Sequence, residues 1–594
     1  MARMLHGGTH DHASPREMPM TRPFRRSRPI ATALLASLAL TSPAWACGGF
    51  FCSTSPVDQQ AERIIFRQTS PETVESYVEI QYQGDPQAFA WIVPVPGIPR
   101  EMETFSPTAF QFLDLATGPN FLLPDACAFA GPARAPSAGG ADFDAAPESG
   151  EGVDVLDYRI VGDYEITTVA ATDGRRLVEW LRSNEYRIVD GMEPFIDLYL
   201  GQGLNFVAMK LVSGADATSI KPLKMVYDSS TPMVPLRMTS IAAVPEMGVK
   251  VFLLGEGRYT SLSVPELEVD PAEIVFDLNT NSSNWPAAVA RTIDAAQGEG
   301  LVVDSAATVD VVRAQLDGTF TPPIGDEDPE VGRQALLGLL DGTRYVTRMY
   351  GRFSAEEMGV DLTFEAAPDL PDVDRNRQLT VEQVPLCSDG SVEPPPPDPC
   401  AFVACGQGGT CLVAPDANGI LVPGCACVDG ATARSVVDSA SPSGFSVSCI
   451  DVRMNVDPII DTLPGIDDNG GTVDPTPPPL PDPCVGNPCG DFGSCFAFNA
   501  QQTCLCERGY VAVAETNADG KSIAVCRSPD GTVPDDFYRR RLPEPRLPYP
   551  GKAAARGTLS DDGCAATGGT TASPLWFLVL GGPLVVRRRR RRAD

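Results

Sequence analysis

Histidine is nearly missing from this chain. Three occur in 594 residues, His6, His10 and His12, and all precede the first apolar run. If that leading segment is removed, no imidazole is left for a Ser-His-Asp or Cys-His pair or for zinc. Catalysis would then fall to carboxylate, lysine, tyrosine, cysteine or a bound metal. Also missing are a Walker loop, a dinucleotide-binding glycine fingerprint and a nucleophile elbow. No catalytic, cofactor-binding or metal-ligating residue is assigned. Basic residues are scarce as well: 46 Lys and Arg face 77 Asp and Glu, a formal charge of −31. Twelve of the arginines lie at the two ends, so the body between them is more acidic than the whole. Such a surface repels phosphate backbones, and nucleic acid is excluded as a partner.

What is present begins with an export pattern. Arg22, Arg25, Arg26 and Arg28 precede an apolar run from Ile30 to Leu40, followed by Ala44, Trp45 and Ala46. Small residues at −3 and −1 suit signal peptidase, which predicts a signal peptide over residues 1–46 with Cys47 after the cut. Met18 and Met20 are alternative starts, since the residues before them do not resemble the head of a leader. A lipoprotein reading of Cys47 is weighed against this, but Ala44 and Trp45 fit a lipobox poorly. At the other end Gly563 and Cys564 are followed by a polar spacer, an apolar stretch Pro574–Val586 and six arginines, Arg587–Arg592. Thirteen helical residues rise about 20 Å against a bilayer core of about 30 Å, a marginal span. The arginines would stay cytoplasmic, leaving the body outside. This order resembles the MYXO-CTERM sorting signal of myxobacteria, which implies processing near Cys564 and transfer to the cell surface. A plain stop-transfer helix is the simpler alternative.

Seventeen cysteines in an exported chain are read first as disulfides. Cys47, Cys52, Cys127 and Cys387 lie in the first long region. Six follow between Cys400 and Cys449, and six more between Cys484 and Cys526. The first sextet reads C-x4-C-x5-C-x13-C-x-C-x21-C and the second C-x4-C-x5-C-x8-C-x-C-x19-C. Both resemble the EGF-like module. That resemblance implies Cys400–Cys411, Cys405–Cys425 and Cys427–Cys449, then Cys484–Cys495, Cys489–Cys504 and Cys506–Cys526. Asp398 and Asp482, each flanked by prolines, fall short of the acidic cluster of calcium-binding EGF modules, so no metal is assigned.

Residues 391–399, 450–483 and 527–563 are proline-rich or polar linkers, expected to form a stalk holding the modules apart (400–449 and 484–526). Residues 564–594 hold the sorting signal and its hydrophobic helix. Residues 47–390 can build a sizeable core. Strand-like alternation marks Thr73–Tyr82, Ala88–Val95, Asp154–Val169, Leu204–Leu211 and Gly248–Leu254; helices are expected over Asp173–Asn184, Phe195–Leu200, Asn284–Gln297 and Glu330–Leu340. Strands outnumber helices without βαβ order, so the fold class is a strand-rich α+β domain.

Several stretches of this region resemble the bacterial family called domain of unknown function 2330. They are CGGFFC (Cys47–Cys52) with PVDQQAERIIF (Pro56–Phe66), YQGDPQAFAWIVPVPGIP (Tyr82–Pro99), Lys221–Ala243 and Thr347–Val373. The resemblance implies export and brings no activity. Within these motifs Gln59, Glu62, Arg63 and Trp91 invite a functional reading, with packing as the simpler explanation. The expectation is a noncatalytic protein at the cell surface or outer membrane, serving binding, adhesion or envelope structure. Its partners would be the export and sorting machinery, the membrane through its tail, and an extracellular protein or glycan. The alternative is a secreted hydrolase using two carboxylates on a polysaccharide.

Overall fold

A computed structural model describes residues 59–82, 89–124, 152–186, 192–212, 220–316, 327–385, 398–437, 444–451, 453, 483–498, 501–517, 521–534 and 536–543. The leader, Cys47, Cys52, Cys127, Cys387, Gly563, Cys564 and the C-terminal apolar stretch lie outside these residues. Among the described residues no helix is long and apolar enough to cross a membrane.

The large domain is strand-rich. In chain order its main elements are β1 (Gln59–Ser70), β2 (Thr73–Tyr82), β3 (Ala90–Val95), β4 (Glu101–Thr104) and α1 (Pro107–Thr117). Next come β5 (Val153–Val161), β6 (Tyr164–Ala171), α2 (Gly174–Ser183), α3 (Glu193–Leu200), β7 (Asn205–Leu211) and β8 (Leu223–Asp228). The last are β9 (Ala243–Gly255), β10 (Glu266–Leu267), α4 (Trp285–Ala295), β11 (Leu301–Thr308), α5 (Asp310–Leu316), α6 (Pro329–Leu340) and β12 (Tyr345–Phe353). An eight-stranded sheet runs β10-β11-β12-β9-β1-β2-β8-β4, antiparallel except for β1/β9 and β10/β11. A second sheet runs β3-β7-β6-β5.

Strand periodicity explains the layering. Along β1, Ile64 and Phe66 enter the core shared with the second sheet, while Ile65 faces α1, α5 and α6 with Tyr77, Phe252 and Leu254. Both faces of β1 are thus covered, which is why it lacks the alternation of a half-buried strand. Helix α1 starts at Ser106, whose hydroxyl accepts from the Ala109 amide at 3.0 Å, with Pro107 in its first turn. Helix α2 starts at Asp173, whose carboxylate accepts from the Arg176 amide at 2.9 Å. The single strand expected over Asp154–Val169 is two strands, because Gly162 (φ +58°) reverses the chain between β5 and β6.

The cysteine-rich region holds six disulfides: Cys400–Cys411, Cys405–Cys425, Cys427–Cys449, Cys484–Cys495, Cys489–Cys504 and Cys506–Cys526. Each sextet supplies two hairpins. The first gives β13 (Gly409–Pro415), β14 (Leu421–Cys427), β15 (Ala431–Val437) and β16 (Phe445–Asp451); the second gives β17 (Gly493–Phe498), β18 (Gln501–Cys506), β19 (Val511–Thr516) and β20 (Ser522–Arg527). The sheets are β13-β14-β19-β20 and β16-β15-β18-β17, so each combines one hairpin from either sextet. Gly424 pairs with Val513 and Ala433 with Cys504 across the join.

A stalk with separated modules is therefore not what forms. The two halves share one core, including Ala414, Ala433, Val511, Val513 and Ala524. The pair also docks on the large domain. Asn284 Nδ2 and Arg291 Nη1 donate to the Ala401 carbonyl at 3.0 and 3.2 Å, and Val436 and Ile450 join the large domain's core. Small disulfide-rich units bury little surface alone, and mutual packing supplies what each lacks.

Candidate functional site

Two features stand out in the large domain, one on each face of the eight-stranded sheet. Between the two sheets lies a cavity of about 220 Å³. Its walls are Glu62, Ile64 and Phe66 from β1, Val78 from β2, Met225 and Tyr227 from β8, and Trp91, Val93 and Val95 from β3. Leu204, Met233 and Val234 also contribute to its lining. Glu62, only 4% exposed, is the one carboxylate among the lining residues. Burial pushes the Tyr227 hydroxyl up to about 12, so it stays protonated at neutral pH. Apolar walls with a few polar groups suit a nonpolar ligand, held in place by hydrogen bonds at one end.

On the opposite face a row of charges is sealed under α1. In register, Arg63 of β1 lies opposite Glu79 of β2 and Lys250 of β9. Asp114 of α1 receives Lys250 Nζ at 3.0 Å, Arg348 Nη2 at 2.7 Å and Arg63 Nη1 at 3.4 Å. Arg63 also pairs with Glu79. Arg348 Nε lies 3.1 Å from Asp304, which accepts from Trp285 Nε1 at 3.0 Å. Three cations thus meet three carboxylates. Burial pushes the Asp114 carboxyl up, but Lys250, Arg348 and Arg63 outweigh it and hold the group well below the usual range. For Glu79 and Asp304 burial prevails over the neighbouring arginine and the pKa rises. The network closes tightly at Gly118, where any Cβ would stand 2.3 Å from Arg348 Nη1. With three cations matched by three carboxylates, it reads as a structural brace.

The structure brings Glu62 and Trp91 together in the cavity and sends Arg63 to the other face. The Gln59 side chain lies outside the described residues. Sequence reasoning overlooked Asp114, Lys250, Asp304 and Arg348. The only available signal was charge inside otherwise apolar strands, as in TRMYGRF. Among the described residues no group of three or more acidic or sulfur side chains is placed to hold a metal.

No curated protein matches the chain. Among solved structures, a mutated baculovirus P35 after caspase cleavage is 13% identical, over 34% of this chain and 69% of that one. Its TM-score is 0.20, too low to support a common fold. The family match is far more extensive: residues 42–365 fit the family described as "Uncharacterized protein conserved in bacteria (DUF2330)". This segment takes in the cavity and the charged brace, and over half of the chain, which therefore belongs to that bacterial family.

Proposed function

We propose that the protein is an exported, noncatalytic binding protein displayed at the cell surface, whose large domain receives an apolar group in the cavity between its two sheets. The observation that carries this reading is the cavity itself: lined mainly by aliphatic and aromatic side chains, with Glu62 as its single carboxylate. Glycoside hydrolysis needs two carboxylates facing one bond, and the cavity offers one. An apolar interior also suits an aliphatic or aromatic moiety better than a sugar.

Six disulfides support an oxidising compartment. The leader ending at Ala46 and the tail from Gly563-Cys564 support export and sorting of the MYXO-CTERM kind. The two cysteine sextets are read as EGF-like modules, fused here into one docked unit. Any glycan or protein partner would meet the outer surface. The test is fractionation of cells carrying the full chain or a chain ending at residue 563, followed by proteolysis of intact cells. Surface-exposed full chain and released truncated chain are expected. Truncated protein that stays on intact cells would refute anchoring, and turnover of a polysaccharide by the purified chain would restore the hydrolase.

A further inference from the structure

The contact between the disulfide-bonded pair and the large domain gathers acidic side chains from both. The large domain contributes Glu246 at the start of β9, Asp294 from α4, and Glu356 and Glu357 from the turn after β12. Glu246 and Glu357 are 3% and 6% exposed. Glu357 accepts from the Ser354 amide at 2.8 Å and from Gln407 Nε2 of the disulfide-bonded pair at 2.8 Å. Glu246 Oε1 accepts from Ser354 Oγ at 3.4 Å. Asp294 Oδ1 is buried without a hydrogen-bond partner, and burial together with the neighbouring Glu246 pushes both Asp294 and Glu357 well above the ordinary carboxyl range.

The covering face comes from β15 and β16. Arg434 lies opposite Ser448 in the register, on the face that carries Val436 and Ile450 into the large domain's core. Ser448, 1% exposed, has a hydroxyl with no hydrogen-bond partner. A Cβ on Gly406 would meet that hydroxyl at 2.9 Å and Glu246 Oε1 at 3.6 Å, so the two oxygens border the same spot. The remaining charges nearby are Arg352, whose Nε donates to the Glu246 carbonyl at 2.9 Å, Asp451, which pairs with Arg453 at 2.6 Å, and Glu299, exposed beside Gly298.

We infer that docking of the disulfide-bonded pair on the large domain is proton-dependent, closed when Asp294 and Glu357 are protonated and loosened when both ionise. Undocking would return these carboxyls to water, where they ionise in the ordinary range near 4. In the docked state burial raises Asp294, Glu357 and Glu356, the neighbouring acids add to it, and Glu356 is pushed up to about 8. Docked protein therefore binds more protons than undocked protein between those limits. Linkage sets the sign: docking is strongest at acid pH and weakens as pH rises through the docked-state values.

The test is hydrogen exchange on the full mature chain from pH 5 to 9.5, corrected for the intrinsic rate and read on residues 354–358. Their amides at Glu357 and Met358 donate to Ser354 and Ala355 within the covered turn. Each proton released on undocking changes the opening constant about tenfold per pH unit, so protection should fall at least tenfold between pH 6 and 9. The double variant Asp294→Asn with Glu357→Gln keeps the shapes and removes the titration, and should flatten the profile. Small-angle scattering on both chains reads docking independently, as a rise in radius of gyration at alkaline pH in the unaltered chain alone. A flat profile in the unaltered chain, or the same alkaline loss in the variant, would overturn the inference. So would full protection at pH 9.5 on adding millimolar calcium, which would make the acids a cation site.

Discussion

Replacing Asp114 with Asn asks what the charged brace contributes. The substitution keeps size and shape but removes the carboxylate that faces Lys250, Arg348 and Arg63. Glu79 and Asp304 remain, so three cations would be matched by two anions under α1. The Asn amide group would also direct a donor toward donors. Removing one partner of a buried ion pair costs about 3–5 kcal/mol. About 330 residues in the large domain imply an unfolding entropy of ~0.7 kcal/mol/K, so the melting temperature should fall by about 4–7 °C. Urea unfolding followed by tryptophan fluorescence suits this measurement, since Trp285 donates to Asp304 inside the brace. Combining Asp114→Asn with Lys250→Met removes the surplus cation and should recover at least half of the loss. The acid limb gives a second readout. Because the Asp114 pKa is depressed, its stabilisation is present above the ordinary carboxylate range and lost as pH falls through the folded value. The variant should lack that component. A loss below ~0.5 kcal/mol, within the range of an ordinary surface substitution, would refute the role given to the brace.

Three further outcomes follow from the packing. Gly118→Ala places a methyl 2.3 Å from Arg348 Nη1 and should destabilise by about 1–3 kcal/mol, measured by the same urea titration. A chain comprising residues 398–453 alone loses the β14/β19 and β15/β18 pairings, and should refold oxidatively to mixed disulfides, whereas residues 398–543 should give one species by mass mapping. Arg291→Ala removes the donor to the Ala401 and Val403 carbonyls, at 3.2 and 3.3 Å, and should speed hydrogen exchange at the Ala401 and Val403 amides without altering the melting of the large domain.

How much was legible depended on how each segment is buried. Strands β2, β3 and β7 and helices α2, α4 and α6 stand close to their expected positions, because alternation or helical spacing of apolar residues marks them. Strand β1 escaped notice, since QQAERIIFRQTS is covered on both faces and Arg63 sits where an apolar residue would signal a strand. The same holds for β12, where Arg348 and Arg352 are buried with their partners. Pairing across a sheet joins residues far apart in sequence, and no local pattern announces it. The interleaved disulfide sheets were illegible for this reason: spacing describes each sextet separately, and nothing in it states that β14 will pair with β19. Glu62 and Trp91 were noticed as residue types within motifs, but their convergence on one cavity needed β1 and β3 to lie in facing sheets.

The central claim, that the cavity between the sheets binds an apolar group, can be tested on Trp91. An eight-carbon bromoalkanol places a heavy-atom quencher on a chain that a cavity of about 220 Å³ can accept. About eight buried methylenes contribute roughly 6 kcal/mol, a Kd in the tens of micromolar. Titration should quench the tryptophan emission saturably over that range. Trp91→Phe should abolish the quenching signal, and Val93→Phe, which fills the space beside it, should weaken binding at least tenfold. Linear, unsaturable quenching that both variants share would contradict the claim.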